Sequence, residues 1–193
     1  NKGILNNKIS EALMKNIIAA KIPCHFVKKI NDREQVIKKL KIIPLEIIIR
    51  NIAAGSMSKR LGIKEGSELI EPIFELCYKE DSLNDPLIND DHAINVLKVI
   101  NKEQLELIKK YAFLINKILI NLFLKSNLQL VDFKIEFGFN KNGEILLADE
   151  ISPDSCRLWD IKTKQRFDKD LFRRDLGDLI AGYEEVLKRI TNE

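Results

Sequence analysis

The sequence predicts a fold that combines long amphipathic helices with antiparallel β-strands. Three observations carry this prediction: 45% hydrophobic and 32% charged residues with 8 Gly and 5 Pro, helical periodicity in three segments, and apolar–polar alternation over residues 131–139. This apolar content excludes a disordered chain. A length of 193 residues suits one ordinary domain or two small domains that share a cleft.

The charge balance and the cysteines exclude several classes of protein. The 32 basic and 29 acidic residues give a net charge of +3, which by itself does not indicate nucleic-acid binding but is compatible with a local anion site. Cys24, Cys77 and Cys156 form no CxxC pair, which favours a reducing compartment, by default the cytoplasm, over a disulfide framework or a zinc site. No apolar run approaches the roughly 20 residues of a membrane span, and the N-terminal segment has no signal core.

The first part of the chain is predicted to hold a helix followed by strands. Apolar residues from Ile4 to Ile18 recur at three- and four-residue spacings, which predicts a helix over residues 3–20 that cannot continue through Pro23. The segments CHFVKKI and LEIIIRN are rich in β-branched and aromatic residues. The turn-like Asn31-Asp32 between them indicates two strands, or a strand and a short helix. Pro44 indicates a hinge or a sheet edge.

Two further helices are predicted in the second half of the chain. Apolar positions describe a core-facing helix from Lys102 to Lys125, which Asn101 can cap. A final helix is predicted from Asp168 to Arg189, with apolar positions Leu171, Leu176, Ile180, Tyr183 and Leu187. Gly177 and Gly182 weaken this helix and indicate close packing there.

The stretch VDFKIEFGFNKNGEILLADE, residues 131–150, reads as a hairpin with a charged face. Because side chains alternate along a strand, Asp132, Lys134 and Glu136 point to one side and the aromatic residues to the other. Lys134 is the neighbour of Glu136 on this face. It can therefore reach an anion that is also bound to a metal ion at Glu136.

The turn of this hairpin decides whether two carboxylates meet. Asn142-Gly143 favours a two-residue type I′ turn, which places Glu136 opposite Asp149. Two carboxylates about 5 Å apart repel by roughly 3 kcal/mol at an effective dielectric near 20, but by under about 1 kcal/mol in open water. In a cleft, a proton or a cation such as Mg²⁺ must relieve that repulsion. The alternatives are a solvated charged face, a three-residue loop that turns Asp149 away, or a four-residue loop that pairs it with Lys134.

The stretch EIIIRNIAAGSMSKRLG is a candidate phosphate site. A strand runs into Arg50, and Ser56 can cap a short helix that stops at Gly62. Free backbone N–H groups and the Ser56 hydroxyl suit a phosphate, with Arg50 as its charged partner. A strand followed by a capped helical turn usually has no catalytic meaning, so this pattern is weak by itself.

Two polar segments supply further candidates. In DEISPDSCRLWD, residues 152–154 form a predicted turn and Arg157 follows in a loop near the carboxylate pair, or else the segment is a surface turn anchored by Trp159. The segment YKEDSLNDPLINDDHA is typical of a long loop, in which Asp90 or Asp91 can cap the next helix. His25 and His92 lack the spaced partners that a zinc site needs.

Four motifs together resemble one family. They are RNIAAGSMSKR, NDPLINDDH, VDFKIEFG and LADEISPDSCRLWD, and they are similar to those of phosphoribosylaminoimidazole-succinocarboxamide synthases, or SAICAR synthetases. The similarity covers essentially the whole chain. It implies an α+β fold with an antiparallel sheet packed by helices and two lobes that close on ATP. Residues 1–42 then belong to the ATP-binding lobe and residues 43–193 to the substrate-binding and catalytic lobe.

The resemblance also implies an activity and its partners. The activity it implies is that of an ADP-forming ligase of de novo purine biosynthesis. Such a ligase joins L-aspartate to the carboxylate of 5-aminoimidazole-4-carboxylate ribonucleotide and uses ATP and Mg²⁺. A homodimer without nucleic-acid or membrane partners is expected. Family members begin with a strand-rich lobe that holds a glycine-rich, lysine-containing phosphate loop. No such segment precedes Asn1, which predicts a truncated nucleotide lobe.

The site residues that follow from the resemblance fall into four sets. The Mg²⁺ ligands are Glu136 and Asp149, and Lys134, Lys79 and Asp85 lie at the nucleotide phosphates and reaction cleft. The ribonucleotide and its phosphate are held by Arg50, Ser56, Arg157 and Asp154, and the adenine hinge contains Lys41 and Ile43. Cys156 is expected to pack in the core rather than act as a thiolate.

Two other readings use the same residues. Another ATP-dependent carboxylate–amine ligase is compatible with the metal pair and the phosphate site, but the full set of motifs disfavours it. A nucleotide- or RNA-binding module without catalysis can use Arg50, Lys59, Arg60 and Arg157 as an anion surface. The aromatic residues that stack bases are missing from those stretches, which disfavours the module.

Overall fold

The computed structural model describes residues 1–173 and 177–191. The helices are α1 (Lys2–Ala19), α2 (Gly55–Leu61), α3 (Lys102–Lys125), α4 (Asp170–Arg173) and α5 (Leu179–Thr191). The strands are β1 (Phe26–Lys29), β2 (Gln35–Ile37), β3 (Lys41–Ile42), β4 (Leu45–Ile52), β5 (Glu68–Tyr78), β6 (Leu87–Ile88), β7 (Leu128–Phe139), β8 (Ile145–Ala148) and β9 (Cys156–Asp160). None of the helices in this part of the chain is long and apolar enough to cross a membrane.

Strand β7 organises the main antiparallel sheet. It pairs with β4 and β9 through residues 128–135 and with β3 and β8 through residues 136–139, while β4 continues the sheet to β5 and β6. β1 and β2 form a separate two-stranded ribbon. The twelve residues of β7 are therefore surrounded by other strands, and its polar side chains face cavities instead of open solvent.

The helices cover the apolar face of this sheet. α3 packs on β7 and β4, and α1 packs against α5 and α3. Phe123 of α3 and Phe133 and Phe137 of β7 are fully buried in the same core. Each such aromatic side chain removes a large apolar surface from water, which stabilises the fold by about 2 kcal/mol or more per residue.

The first and third helices agree with the prediction from periodicity. The long helix has the predicted bounds Lys102–Lys125, and its cap is the predicted Asn101. The Asn101 Oδ1 atom accepts a hydrogen bond from the Gln104 backbone N–H at 2.8 Å, and the Gln104 side chain accepts one from the Asn101 backbone N–H at 3.0 Å. This reciprocal capping box satisfies two backbone donors that the helix itself leaves free.

The predicted turn of the hairpin is wrong by one residue. Glu136 lies opposite Ala148 and Phe139 opposite Ile145, so that residues 141–143 form a three-residue loop. The side chain of Asn140 accepts hydrogen bonds from two backbone N–H groups of this loop region, at 2.9 Å each, and Gly143 adopts a φ of 79°. The asparagine at the start of the loop and the left-handed glycine together select the longer turn.

The predicted last helix is also wrong, because it is interrupted. Gly177, with a φ of 148°, lies between α4 and α5, and the Asp178 side chain accepts hydrogen bonds from the N–H groups of Ile180 and Ala181. A new helix therefore starts at an Asp cap. The close packing predicted at Gly182 is present, since a Cβ there would lie 2.5 Å from Leu171. Leu176 lies outside the described residues.

The polar segment after β5 is not the long loop that its composition indicated. It contains a short 3₁₀-helix (Asp81–Leu83), strand β6 and a π-helix (His92–Val96). The side chain of Asn89, and not that of Asp90 or Asp91, accepts the hydrogen bond from the His92 N–H at 2.9 Å. The ordering of this segment fixes Asp85 at the edge of a cavity.

Candidate active site

Two neighbouring cavities open along the polar face of β7. The first, which we call the anion cavity, has a volume of about 510 Å³ and is lined by Asp132 and Lys134 together with arginines of other strands. The second, the acidic cavity, has a volume of about 540 Å³ and is lined by Glu136, Asp149 and Glu150. The predicted alternation of β7 thus sends successive polar side chains into adjacent sites.

Three predicted residues from separate elements converge in the anion cavity. Arg50 comes from β4, Ser56 from α2 and Arg157 from β9, and all three line it. Arg50 and Arg157 lie opposite Asp132 in the strand register, one from each side. The Arg50 Nη2 atom donates a hydrogen bond to the Ser56 Oγ atom at 3.0 Å. Lys134 and Asp85, which were predicted at the nucleotide phosphates and the reaction cleft, line the same cavity as these three residues.

The local structure around Ser56 differs from the predicted cap. The N-cap of α2 is Ala54, and Ser56 is the second residue of the helix, where its hydroxyl faces Arg50 instead of capping the helix end. The predicted stop at Gly62 is confirmed, since this residue is the left-handed C-cap with a φ of 65°. Gly55 has a φ of 55° and lies against the Arg157 guanidinium, which leaves no room for a side chain.

Acidic residues that the sequence did not indicate hold the two arginines. Asp132 contacts Arg50 at 3.0 Å and Arg157 at 2.8 Å, and Glu75 of β5 contacts the Arg50 Nε atom at 2.6 Å. Burial raises the pKa of Asp132, while the charges of Arg157 and Arg50 act in the opposite direction. Strand alternation placed Asp132 on the polar face, but no local signal links Glu75 to Arg50.

The acidic cavity brings Glu136 and Asp149 together in spite of the changed register. Strand β8 ends at Ala148, and Asp149 leaves it with a φ of 58°, so its direction no longer follows strand alternation. Desolvation raises the pKa of Glu136, and the charge of Asp149 raises it further. The two carboxylates therefore interact across one cavity, which was the consequence drawn from the incorrect register.

The lysines of the two cavities are paired with carboxylates. The Lys79 Nζ atom lies 2.5 Å from Glu136, and Lys134 forms a salt bridge with Glu46 of β4. Desolvation opposes the charged form of Lys79, but the hydrogen bond and the charge of Glu136 outweigh it and raise the pKa of Lys79. Lys79 is therefore charged at neutral pH, and an ammonium group is a charge-assisted donor for phosphate oxygens.

The donor set of the acidic cavity fits a hard cation that is completed by other ligands. Among residues 1–173 and 177–191, no group of three or more His, Cys, Asp or Glu is arranged to hold a metal ion. Glu136 and Asp149 offer two carboxylates, and Mg²⁺ is commonly held by one or two carboxylates with phosphate oxygens and water. The pair therefore fits Mg²⁺ bound together with a polyphosphate better than an all-protein metal cage.

The remaining predicted residues lie away from the centre of the two cavities. The Asp154 carboxylate contacts α1 and α5, through Lys2 at 2.8 Å, Asn6 at 2.6 Å and the Tyr183 hydroxyl at 2.7 Å. Lys41 is exposed and lines another cavity beside β7. Ile43 is buried, and its N–H donates to the Phe137 carbonyl oxygen at 2.9 Å.

Cys156 behaves as the packing residue that was predicted. It is fully buried at the start of β9, and burial raises the pKa of its thiol to about 12. A thiol with this pKa is not a thiolate at neutral pH and is not a nucleophile. Cys156 therefore adds no thiolate to a site whose arginines, lysines and carboxylates are suited to binding and charge stabilisation.

The chain is similar to known proteins over nearly its whole length. A family model described as SAICAR synthetase matches residues 1–190. A phosphoribosylaminoimidazole-succinocarboxamide synthase of Clostridium perfringens (strain SM101 / Type A) is 54% identical over 191 residues, which cover 99% of this chain and 80% of that protein.

Solved structures agree with this similarity. The phosphoribosylaminoimidazole-succinocarboxamide synthase of Ehrlichia chaffeensis has a TM-score of 0.96 and 48% identity, covering 98% of this chain and 81% of that one. A SAICAR synthetase in complex with ADP also has a TM-score of 0.96 and 48% identity, covering 100% of this chain and 82% of that one. The α+β fold with an antiparallel sheet is thereby confirmed.

Proposed function

This chain belongs to the SAICAR synthetase family, and from that premise we propose which of its residues carry each part of the reaction. It is an ATP-dependent ligase of purine biosynthesis. The substrates we propose are 5-aminoimidazole-4-carboxylate ribonucleotide, L-aspartate and ATP, and the products are SAICAR, ADP and phosphate.

The anion cavity is the proposed site of the ribonucleotide phosphate. The observation that carries this assignment is the convergence of Arg50, Ser56 and Arg157, from three separate elements, on one cavity. Guanidinium groups bind phosphate with paired, charge-assisted hydrogen bonds, and a hydroxyl adds a further donor. A contact between Asp154 and the ribonucleotide stays a prediction, because the carboxylate is occupied by residues of α1 and α5.

The acidic cavity is the proposed site of the ATP phosphates and Mg²⁺. Glu136 and Asp149 would hold the ion, whose charge would offset the negative charge on the transferring phosphoryl group. Lys41 and Ile43 lie on the connection that we propose for the adenine, with residues 1–42 on the nucleotide side and residues 43–193 on the substrate side. A SAICAR synthetase of the same fold is known in complex with ADP, which supports nucleotide binding.

The two adjacent cavities suit a reaction in two transfers. A substrate carboxylate oxygen attacks the γ-phosphorus of ATP, ADP leaves, and an acyl phosphate forms. The amine of aspartate then attacks the acyl carbon, loses a proton, and phosphate leaves. Lys134 and Asp85 line the anion cavity, and Lys79 contacts Glu136 of the acidic cavity. We propose that the two lysines stabilise charge on the moving phosphoryl group and that Asp85 lies in the same reaction cleft.

Assembly and location stay predictions. A homodimer is expected from the behaviour of the family. A cytoplasmic location is supported by Cys24, Cys77 and Cys156, which are all free thiols in the structure.

Release of ADP by the purified protein tests the proposed assignment. With ATP, Mg²⁺, aspartate and the ribonucleotide all present, ADP should form, and omission of any one should reduce it to background. Glu136→Gln should lower the rate at least about a hundredfold, because one ligand of the ion is lost. Glu144→Gln, an exposed acid at the end of the same hairpin, is the matched control and should keep the rate. Equal rates for both variants would contradict the metal assignment.

A further inference from the structure

A chain of alternating charges runs through the anion cavity and beyond it on both sides. Each member forms a salt bridge with the next, in the order Arg60, Glu75, Arg50, Asp132, Arg157, Asp170, Arg166 and Glu65. Asp132 stands in the middle of this chain and joins the two arginines of the cavity. Its side chain is 5% exposed, so its contacts are made largely out of water.

Each of the two arginines is held by carboxylates at the same two positions of its guanidinium group. Arg50 is held at Nε by Glu75 (2.6 Å) and at Nη1 by Asp132 (3.0 Å). Arg157 is held at Nε by Asp170 (3.0 Å) and at Nη1 by Asp132 (2.8 Å and 3.0 Å). A planar guanidinium that is fixed at Nε and Nη1 has a fixed orientation of Nη2 as well.

Both Nη2 groups point to the same place, the start of α2. The Arg50 Nη2 atom lies 3.0 Å from the Ser56 Oγ atom. A Cβ atom on Gly55 would lie only 2.5 Å from the Arg157 Nη2 atom. The two donors that Asp132 does not engage therefore meet at Gly55 and Ser56, where they can bind oxygens of one anion.

We propose that Asp132 is a positioning residue, which orients the Nη2 groups of Arg50 and Arg157 toward the phosphate of the ribonucleotide. This inference rests on the proposed function, because it assumes that the anion cavity binds that phosphate. Asp132 acts through the two arginines and need not touch the substrate. Its backbone place opposite both arginines in the strand register fixes the span between them.

The direction in which neutralising Asp132 changes the affinity for phosphate distinguishes a positioning role from a role in charge balance alone. A carboxylate in an anion site repels a phosphate, so if Asp132 served only as a counter-charge, its neutralisation would tighten phosphate binding. If Asp132 orients the arginines, its neutralisation releases both guanidinium groups and weakens binding. The two roles therefore predict opposite changes in affinity for the same variant.

Asp132→Asn and Asp132→Glu test this difference. The Asn variant should raise the KM for the ribonucleotide, and its Kd measured by calorimetry, about ten- to a hundredfold, because oriented charge-assisted hydrogen bonds are lost. The Glu variant keeps the charge but shifts it, and should also weaken binding. The KM for ATP should stay within about twofold of the parent value in both variants. Asp90→Asn, at a half-buried acid paired with Lys109, is the control and should change neither constant.

Two further measurements keep the outcomes distinct. If Arg50→Met and Arg157→Met leave ribonucleotide binding unchanged, the proposed function of the cavity fails. If those variants weaken binding while Asp132→Asn leaves it equal or tighter, only the positioning role is overturned. Should both Asp132 variants fail to fold, Gly55→Ala decides, because its new Cβ displaces the Arg157 guanidinium from Asp132. An unchanged ribonucleotide KM in Gly55→Ala would then overturn the inference.

Discussion

At the scale of single residues, the two cavities differ in how their charges are balanced. In the anion cavity Arg50 and Arg157 are matched by buried acids on β5, β7 and α4. In the acidic cavity Glu136 is matched by Lys79, whose side chain is 42% exposed and able to leave. A fixed arrangement suits recognition of a substrate phosphate, and a movable counter-ion suits a carboxylate that must exchange its partner for a metal ion.

Asp168 gives a pH-dependent stability that can be measured. It is fully buried, accepts hydrogen bonds from the N–H groups of Leu158 (2.9 Å) and Asp170 (2.8 Å), and burial raises its pKa from 3.8 to about 6. The pKa of Asp168 is higher in the folded state than in the unfolded state. At pH values between these two pKa values, the native state therefore binds more protons than the unfolded state. The contribution of Asp168 to the free energy of unfolding should therefore fall by up to about 3 kcal/mol as pH rises from about 4 to about 6.

Urea unfolding of the parent protein and Asp168→Asn at pH values between about 4 and 7 checks this expectation. The variant loses a hydrogen-bond acceptor at every pH, but it should lose the decline in stability that the carboxyl group causes. Glu136 and Glu150 also have raised pKa values, and they change the free energy of unfolding of both proteins in the same way. The difference in free energy of unfolding between the two proteins therefore isolates the contribution of Asp168. Parallel curves would show that Asp168 does not titrate in this range.

At the scale of secondary-structure elements, the capping box of α3 should be worth a measurable part of the stability. Asn101→Ala removes the acceptor for the Gln104 N–H and should lower the free energy of unfolding by about 1 kcal/mol. Lys110→Ala, at an exposed position inside α3, is the control and should be nearly neutral. Chemical denaturation of both variants measures the difference, and equal stabilities would rule out a contribution from the cap.

The elements also show which structural features the sequence within an element can predict. The bounds of α3 were predictable because periodicity and cap lie within the helix itself. The prediction of the hairpin turn failed because Asn142-Gly143 is compatible with both a two-residue and a three-residue loop. The hydrogen bonds of the Asn140 side chain select the longer loop. The prediction of one continuous last helix failed for a similar reason, because Asp178 caps the start of a second helix after Gly177.

The same limit applies to the candidate site. The polar face of β7, with Asp132, Lys134 and Glu136, followed from alternation alone. Glu46 and Glu75, which pair with Lys134 and Arg50, did not, because they reach the site only through the pairing of β4 with β7 and β5. Functional residues within one strand are readable from the sequence, while the charges that hold them depend on contacts between distant strands.

At the scale of the whole molecule, β7 connects the proposed substrate side to the proposed nucleotide side. Its first half meets β4 and β9, which carry the arginines of the anion cavity, and its second half meets β8, which leads to Asp149. One continuous strand therefore fixes the spacing between the proposed phosphate site and the proposed metal site. In-line transfer between two bound substrates requires a fixed spacing of this kind.

A crystal structure of the protein with the ribonucleotide tests this account most directly. The account predicts that phosphate oxygens lie within about 3 Å of the Ser56 Oγ atom and of the Nη2 atoms of Arg50 and Arg157, the usual length of such hydrogen bonds. The substrate carboxylate should point along β7 toward Glu136. A complex with its phosphate in the acidic cavity, or away from both arginines, would contradict the account.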